Sequence, residues 1–269
     1  MFVEMRDVSV VRGGKVILDR IDLNIPEGES LAILGPNGSG KTTLLKLMTG
    51  DIRPYYSEDS SSIMRIFGED RWNLFDLRNR VGLVSMDLQN RFGPSMSISE
   101  VICSGLFSSM DVFRDRTVTE EMLEKVVSAA RIMGIEDILE SQVSNVSLGE
   151  MRRALIARAL VNDPSVLILD EPMTGLDPSM RSRFRTMFDL LIRGGISIIL
   201  VTHDLSDIPL GMKRVVAIGN GKIRKDAPKE EVLVDDVMSE TFGESIKVIE
   251  DNGFYQMHVK GGTADETYM

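Results

Sequence analysis

The chain has 269 residues, 43% of them hydrophobic and 27% charged, which suits one α/β domain with a sizeable core. Its net charge of −10 argues against general binding to nucleic acid, because an acidic surface repels phosphate backbones. No apolar run approaches the ~20 residues needed to cross a bilayer, and the first residues lack the layout of a signal peptide. We therefore expect a cytosolic protein, for which any role at a membrane requires a separate partner.

The first third of the chain alternates between strands and turns. Apolar patterning predicts strands at 8–11, 18–25 and 30–34, and the last of these leads into a glycine-rich loop. A helix is expected over Thr42–Thr49 and a further strand over Val81–Val84. A strand–loop–helix opening with several buried strands is typical of a layered α/β fold with a largely parallel sheet.

Helical spacing replaces this pattern from about Ser97. Ser97 and Glu100 form a capping box, and the single Cys103 lies in an apolar stretch of the helix that follows, where we expect it to be buried. Further helices are predicted at Thr117–Met133, Ile135–Glu140 and Glu150–Val161. We interpret residues 97–161 as a mostly helical lobe inserted into the α/β core.

The α/β pattern then resumes. The predicted elements are a strand at Val166–Asp170, a helix at Arg181–Arg193, a strand at Ile196–Thr202, a hairpin formed by Val215–Ile218 and Lys222–Arg224, and a helix from Pro228. The tail from Gly243 has strand-like pieces at Ile246–Ile249 and Phe254–Val259, and we expect the polar end at 261–269 to be mobile.

A phosphate-binding loop is the strongest signal in the sequence. The pattern G-x-x-x-x-G-K-[ST] is matched at every fixed position by Gly35, Pro36, Asn37, Gly38, Ser39, Gly40, Lys41 and Thr42. Glycines let the backbone curl around a phosphate, and the following helix N-terminus adds positive potential. Lys41 would supply a charge to the β- and γ-phosphates, and the Thr42 hydroxyl is a ligand for Mg²⁺.

Two adjacent acids end the predicted strand at Val166–Asp170. Asp170 would lie beside a bound Mg²⁺, and Glu171 beyond the strand end would polarise an attacking water. Taken alone, this pattern also fits an ordinary acidic turn, but the presence of the phosphate loop in the same chain favours the catalytic interpretation. The segment Ser147-Leu148-Gly149-Glu150 precedes a helix; alone it fits an ordinary N-cap as well as an anion-binding site.

These motifs, in this order, resemble the ATPase domain of the ATP-binding-cassette (ABC) family. Five segments carry the resemblance, which extends over about residues 3–235: Gly35–Thr43, Val146–Glu150, Val166–Pro172, Gly175-Leu176-Asp177 and Thr202-His203-Asp204. The resemblance implies a P-loop NTPase core with a mixed, largely parallel sheet, an N-terminal antiparallel β subdomain and an inserted helical subdomain. The nucleotide-binding domain would cover 1–242, and 243–269 would form a C-terminal extension.

The resemblance also implies a composite site in an ATP-dependent homodimer. Nucleotide held by Gly35–Thr43 of one copy would meet the signature residues Ser147, Gly149 and Glu150 of the other. Asp177 would contact the partner copy across the interface. His203 would bind the γ-phosphate and, with Glu171, hold the attacking water.

Some positions depart from the family pattern. The signature has Val146, Leu148 and Glu150 where leucine, glycine and glutamine are usual. Arg12 stands near the position of an aromatic residue that stacks on adenine; it would either stack on the base or remain a solvated charge.

A further departure concerns the glutamine that ligates Mg²⁺ in the family. Met86 occupies the usual position, and a thioether is a poor ligand for that ion. Gln89 is therefore our candidate ligand; alternatively it is a loop residue and water completes the coordination shell.

We expect an Mg²⁺-dependent ATPase subunit of a membrane transporter, associated with a separate transmembrane permease at the inner face of the membrane. The spacings resemble those of cassettes from metal-uptake systems. The alternatives are a soluble cassette ATPase acting on protein or nucleic acid, and a nucleotide sensor without hydrolysis; Glu171 and His203 argue against the sensor.

Overall fold

The computed structural model describes residues 1–56, 62–107 and 118–260, except for the side chains of residues 86 and 87. The strands are β1 (Val3–Arg12), β2 (Lys15–Ile25), β3 (Leu31–Leu34), β4 (Ile63–Ile66), β5 (Val81–Val84), β6 (Val166–Asp170), β7 (Ile198–Thr202), β8 (Arg214–Gly219), β9 (Lys222–Pro228), β10 (Ile246–Asp251) and β11 (Phe254–Val259). The α-helices are α1 (Lys41–Met48), α2 (Leu74–Arg80), α3 (Met86–Gln89), α4 (Ile98–Cys103), α5 (Glu120–Met133), α6 (Leu148–Leu160), α7 (Pro178–Arg193), α8 (Lys229–Val232) and α9 (Asp235–Phe242).

The central sheet has the strand order β5-β6-β7-β3-β8-β9. Its first five strands are parallel, and only the edge strand β9 runs antiparallel, paired with β8. A separate antiparallel sheet has the order β2-β1-β4, and β10 and β11 form a hairpin. This mixed, largely parallel arrangement confirms the predicted fold class.

The central strand β3 shows how the layers are assembled. All four of its residues are buried, and they alternate between two hydrophobic clusters. Leu31 and Ile33 face the cluster that includes the N-terminal sheet and α1, whereas Ala32 and Leu34 belong to the cluster that includes α4, α5 and α6. A parallel sheet covered on both faces explains why its strands are almost uniformly apolar.

Several local predictions are confirmed. Strand β6 has the predicted bounds, the β8–β9 hairpin turns at the expected glycines, and Ser97 and Glu100 form a complete capping box. Cys103 is buried, and this burial raises the pKa of its thiol. The predicted tail strands form the β10–β11 hairpin, in which Ile246 joins the main core.

Other bounds differ for identifiable reasons. The helix predicted at Thr117–Met133 begins at Glu120, because Thr119 is its N-cap; residues 108–117 lie outside the described residues. The helix predicted over Ile135–Glu140 is a 3-10 turn at Glu136–Ile138. The predicted polar end at 261–269 also lies outside the described residues.

Sequence patterning missed β4, α2, α3 and α9. Strand β4 has only four residues and is defined by its pairing with β1, which aligns Val3 with Ile66. A pairing across about sixty residues leaves no local signal in so short a segment. The bounds of the inserted helical lobe and of the C-terminal extension remain predictions.

Candidate functional site

The site is built where three parallel strands end at one edge of the central sheet. In the pairing of β3 with β7, Leu34 aligns with Thr202, and in the pairing of β6 with β7, Asp170 aligns with Val201. The residues that follow these strand ends therefore emerge side by side. The backbone N–H of Gly35 donates to Thr202 O (3.3 Å), and that of Glu171 donates to Val201 O (2.9 Å).

The phosphate loop curls between β3 and α1. Gly38 and Gly40 have φ values of 79° and 106°, a left-handed conformation that glycine adopts without strain. A side chain at Gly40 would place its Cβ 2.7 Å from Leu18 Cδ2, so close packing also requires glycine there. Inside the curl, Lys41 Nζ donates to the carbonyl oxygens of Gly35 (2.8 Å) and Pro36 (3.0 Å).

The electrostatics of this loop favour an anion. Lys41 is only 5% exposed; burial lowers the pKa of its ammonium group, against the opposing effect of Glu171 and Asp170. The Ser39 hydroxyl is buried and has no hydrogen-bond partner within the described parts of the chain. A buried cation and an unsatisfied hydroxyl in a glycine-rich curl form a receptor for an oxygen-rich anion such as phosphate.

Glu171 and His203 meet next to Lys41. Glu171 has a φ of 50°, a left-handed backbone conformation that is uncommon for a residue other than glycine. Its Oε1 lies 3.7 Å from Lys41 Nζ and 3.1 Å from His203 Nδ1, and its Oε2 accepts a bond from Thr174 Oγ1 (3.3 Å). The structure thus brings together three residues that the sequence assigned to one reaction.

Thr42 and Asp170 lie at the predicted ends of α1 and β6. Thr42 is exposed on the first turn of α1, and Asp170 is half-buried at the end of β6. Asp170 ends β6 directly before Glu171, and its negative charge opposes the lowering of the Lys41 pKa. A hydroxyl and a carboxylate are hard oxygen donors of the kind that Mg²⁺ prefers, so the donor set fits that ion.

The signature segment forms the N-terminus of α6. Ser147 is its N-cap: Ser147 Oγ accepts from Glu150 N (3.3 Å), while Glu150 Oε2 accepts from Ser147 N and Ser147 Oγ (both 2.7 Å). The bond from the Ser147 hydroxyl, and to a smaller extent that from the Ser147 backbone, holds the pKa of Glu150 below its usual value. Within a single copy, Ser147 thus acts as an ordinary N-cap. Ser147 and Leu148 are exposed, so both are accessible to a second copy.

Asp177 caps the next helix. Its Oδ1 accepts hydrogen bonds from Ser179 N (2.9 Å) and Met180 N (3.0 Å), and Pro178 occupies the first helical position. The side chain is nevertheless exposed. Gly149 packs close by, since an added Cβ would lie 2.1 Å from Met180 Cε. The signature helix and the Asp177 segment thus form one continuous surface.

Gln89 and Arg12 lie at the margins of the site. Gln89 is the last residue of α3 and lines a cavity of about 320 Å³ together with Val146, Ser147 and Leu148 of the signature segment. Arg12 is exposed at the end of β1, beside the Gly13-Gly14 turn. The roles assigned to both residues remain predictions.

A cavity of about 280 Å³ opens between the α/β core and α6. Apolar side chains, including Leu77, Leu83 and Leu88, line one part of it, and three arginines and one aspartate line another. Among the described side chains of this lining, Arg78 pairs with Asp51 at 3.5 Å, and Arg91 and Arg158 exceed the acidic groups. The described lining of this groove is thus cationic on a chain of net charge −10.

Sequence reasoning missed a polar network behind His203. Arg181, in the first turn of α7, bonds to Asp204 and Asp207, and Asp207 in turn accepts from Thr202. The only hint in the sequence is that Asp204 directly follows His203 in the Thr202-His203-Asp204 segment. The partners are separated by 23 and 26 residues, so spacing alone does not predict the contact.

A glycine-rich phosphate loop follows the central strand β3, and an acid pair lies at the end of β6, which is two places along the same sheet. This combination defines a P-loop nucleotide-binding domain. Residues 18–174 match the family described as ABC transporter. The chain belongs to this family, as its motifs predicted. No helix within the described residues is long and apolar enough to cross a membrane.

Its relatives include ATP-binding proteins of such transporters. The ABC transporter ATP-binding protein YlmA of Bacillus subtilis is 32% identical, over 93% of this chain and 94% of its own length. The spermidine/putrescine import ATP-binding protein PotA of Haemophilus influenzae is also 32% identical, over 87% of this chain but 59% of its own length. The structure of cbiO1 from Clostridium perfringens, part of the ABC transporter complex cbiONQ, superposes with a TM-score of 0.75 at 28% identity, covering 89% of this chain and 93% of that one.

Proposed function

We propose that this chain hydrolyses ATP in an Mg²⁺-dependent reaction and, as a homodimer, drives solute movement through separate membrane subunits. The observation that carries the proposal is the convergence of Lys41, Glu171 and His203 at one edge of the sheet. Glu171 Oε1 lies 3.7 Å from the Lys41 ammonium nitrogen and 3.1 Å from His203 Nδ1. Family membership supplies the expectation of ATP as the ligand.

In the proposed reaction the phosphate loop binds the triphosphate. The Lys41 ammonium group exchanges its contacts with Glu171 and the loop carbonyls for contacts with the β- and γ-phosphates. Glu171 is then released to orient a water and accept its proton as the oxygen attacks phosphorus. His203, which lies next to Glu171 and is 40% exposed, binds the γ-phosphate in this proposal. The bond from the γ-phosphorus to the bridging oxygen breaks, which yields ADP and phosphate.

Thr42 and Asp170 would hold Mg²⁺, with Gln89 as the proposed third protein ligand. When bound, the ion neutralises charge on the β- and γ-phosphate oxygens. The hydroxyl and carboxylate donors of Thr42 and Asp170 support this assignment through their chemistry. The role of Gln89 rests on its place after β5 and is tested below.

The dimer proposal rests on exposed groups at two helix N-termini. Ser147 and Leu148 at the start of α6, and Asp177 at the start of α7, are accessible in a single copy. A helix N-terminus favours an anion, so Ser147 and Gly149 of a second copy would complete the binding of the γ-phosphate, with Glu150 fixing the Ser147 side chain. Asp177 would contact the partner copy. The triphosphate would be held by the phosphate loop, with Pro36, Asn37, Gly38 and Ser39, and by Thr43 in the first turn of α1.

The cationic groove between the core and α6 supports docking of a permease. Its apolar side chains would receive an amphipathic segment, and Arg91 and Arg158 would favour one that carries carboxylates. The import function in the name of PotA and the transporter complex that contains cbiO1 agree with such a partner. The chain would then work at the cytoplasmic face of the membrane. The relatives give no support to a soluble cassette acting on protein or nucleic acid.

Phosphate release from Mg-ATP by the purified chain tests the hydrolysis. We expect turnover that disappears with EDTA and in Lys41→Ala. Turnover that persists in both conditions would refute the site.

The permease docking is tested separately. Arg91→Glu reverses one charge of the groove, and Arg193→Glu, an exposed position at the end of α7 outside the groove, is the matched control. In membranes from the native host we expect the wild type and Arg193→Glu to retain a multispan partner through purification and Arg91→Glu to lose it. Equal retention by all three would contradict docking in this groove.

A further inference from the structure

A partly buried ion-pair cluster connects the start of helix α7 to the segment that carries His203. Arg181 Nη2 donates to Asp204 Oδ2 at 2.6 Å, and Arg181 Nε donates to Asp207 Oδ1 at 3.0 Å. A second short bond joins Nη2 to Asp207. One guanidinium therefore bridges two carboxylates, a task that suits the planar fork of arginine and not the single ammonium of lysine.

The residues on both sides of His203 are connected to Arg181, Thr202 through Asp207 and Asp204 directly. Asp207 Oδ2 accepts from the hydroxyl of Thr202 (2.7 Å), the residue immediately before the histidine. Asp204, the residue immediately after it, donates its backbone N–H to the same hydroxyl (3.1 Å). His203 is thus the middle residue of a three-residue segment whose two ends are anchored to Arg181.

The cluster is partly withdrawn from water. The side chain of Asp207 is 4% exposed, that of Arg181 25% and that of Asp204 33%. Burial raises the pKa of Asp207 even against its bonds to Thr202 and Arg181. For Asp204, burial acts in the same direction, but the bonds from Arg181 and Ser206 outweigh it and lower the pKa. A partly buried ion cluster of this kind permits few alternative geometries, since moving one member leaves another charge unpaired.

The other end of the cluster lies at the exposed start of α7. Arg181 is one turn after the N-cap Asp177, and its backbone N–H donates to Asp177 O at 2.9 Å. A shift of the first turn of α7 therefore moves the guanidinium that anchors the His203 segment. We infer that Arg181 is a positioning residue for His203, which transmits the placement of the Asp177 end of α7 to the histidine of the reaction. This inference rests on the proposed hydrolysis.

Arg181→Met is the direct test. We expect kcat for ATP hydrolysis to fall by about tenfold or more, because small misplacements of reacting groups slow a reaction by such factors. Nucleotide affinity should be unchanged, because the substitution does not alter the phosphate loop. Arg214→Met is the matched control: Arg214 also bridges two carboxylates, Glu29 and Asp226 (both 2.7 Å), but lies at the opposite end of the parallel strands. We expect it to lose stability and to keep the wild-type kcat of the folded protein.

A spectroscopic measurement separates positioning from general destabilisation. The chain has two histidines, His203 and His258, so the imidazole ¹⁵N signals are assigned by comparison with His203→Asn. In Arg181→Met the His203 signals should shift and those of His258 should not, whereas Arg214→Met should leave both in place. If Arg181→Met does not fold, Arg181→Lys, which keeps the charge but not the bridge, should show the same shift and an intermediate kcat.

An unchanged kcat, or an unmoved His203 signal in a folded Arg181 variant, would overturn the inference. Its failure is distinct from failure of the proposed function. If Glu171→Gln is inactive while Arg181→Met keeps the wild-type kcat, hydrolysis stands and positioning by Arg181 is wrong. If Glu171→Gln hydrolyses ATP at the wild-type rate, the proposed function itself is wrong.

Discussion

Lys41 Nζ lies 3.7 Å from Glu171 Oε1, so the cation of the phosphate loop and the proposed base are direct neighbours. The same ammonium donates to two loop carbonyls, and it is therefore held where a phosphate would take its charge. In the proposed reaction the phosphate oxygens would take over these contacts and leave Glu171 to the attacking water.

Loss of this cation should abolish tight ATP binding. In Lys41→Ala the phosphates lose their main positive partner, and charge-assisted bonds of this kind are roughly twice as strong as neutral ones. Isothermal calorimetry should show no tight binding, whereas Lys46→Ala, on the exposed side of the same helix, should bind like the wild type. Unchanged affinity in Lys41→Ala would refute the assignment of the loop.

The composite site predicts that two inactive variants rescue each other. Ser147→Arg should bind nucleotide nearly normally but block closure of the partner's site, and Lys41→Ala should fail at its own phosphate loop. A mixed dimer has one site with an intact loop and an intact signature, so an equal mixture should regain up to about a quarter of wild-type activity if pairing is random.

The control for this experiment is each variant alone at the same total concentration, where no site is complete. Phosphate release is measured before and after mixing. A mixture that stays as inactive as its components would contradict a site shared between two copies.

Gln89 and Met86 offer different atoms to Mg²⁺, and only Gln89 has an oxygen. We therefore expect Gln89→Ala to reduce hydrolysis more than Met86→Ala, with a loss that is greatest at low Mg²⁺. Kinetics over a range of Mg²⁺ concentrations decide between them. If Met86→Ala is the more damaging change, the assignment of Gln89 is wrong.

Local patterns predicted the elements that carry the site. The apolar run before Asp170 predicted β6 correctly, and the glycines before Lys41 predicted the loop. Helix starts were less accurate because N-caps decide them: α6 begins at Leu148 after Ser147, and α7 begins at Pro178 after Asp177, earlier than the predicted Glu150 and Arg181.

The contacts that connect the elements were not predictable in this way. Arg181 was expected only as the first residue of a helix, and its pairing with Asp207 depends on how α7 packs against the turn after β7. The Glu171 contact with Lys41 likewise depends on the order of strands in the sheet, which periodicity does not encode.

Glu171→Gln should also stabilise the dimer. The change removes a negative charge that faces the γ-phosphate and slows the hydrolysis that opens the two copies. In size-exclusion chromatography with ATP, the variant should elute at roughly twice the 29.9 kDa mass of the chain, and without ATP as a monomer. A variant that remains monomeric with saturating ATP would show that ATP alone does not hold two copies together.

The most direct test of the account is the rate of phosphate release by Glu171→Gln under saturating Mg-ATP, compared with wild type. Glutamine keeps the size and a hydrogen-bonding oxygen of Glu171 but cannot accept the proton of water. A positioned base contributes about 10²–10⁴-fold, so we predict a loss of that size with ATP affinity retained. Hydrolysis at the wild-type rate would contradict the assignment of Glu171 as the base and, with it, the proposed mechanism.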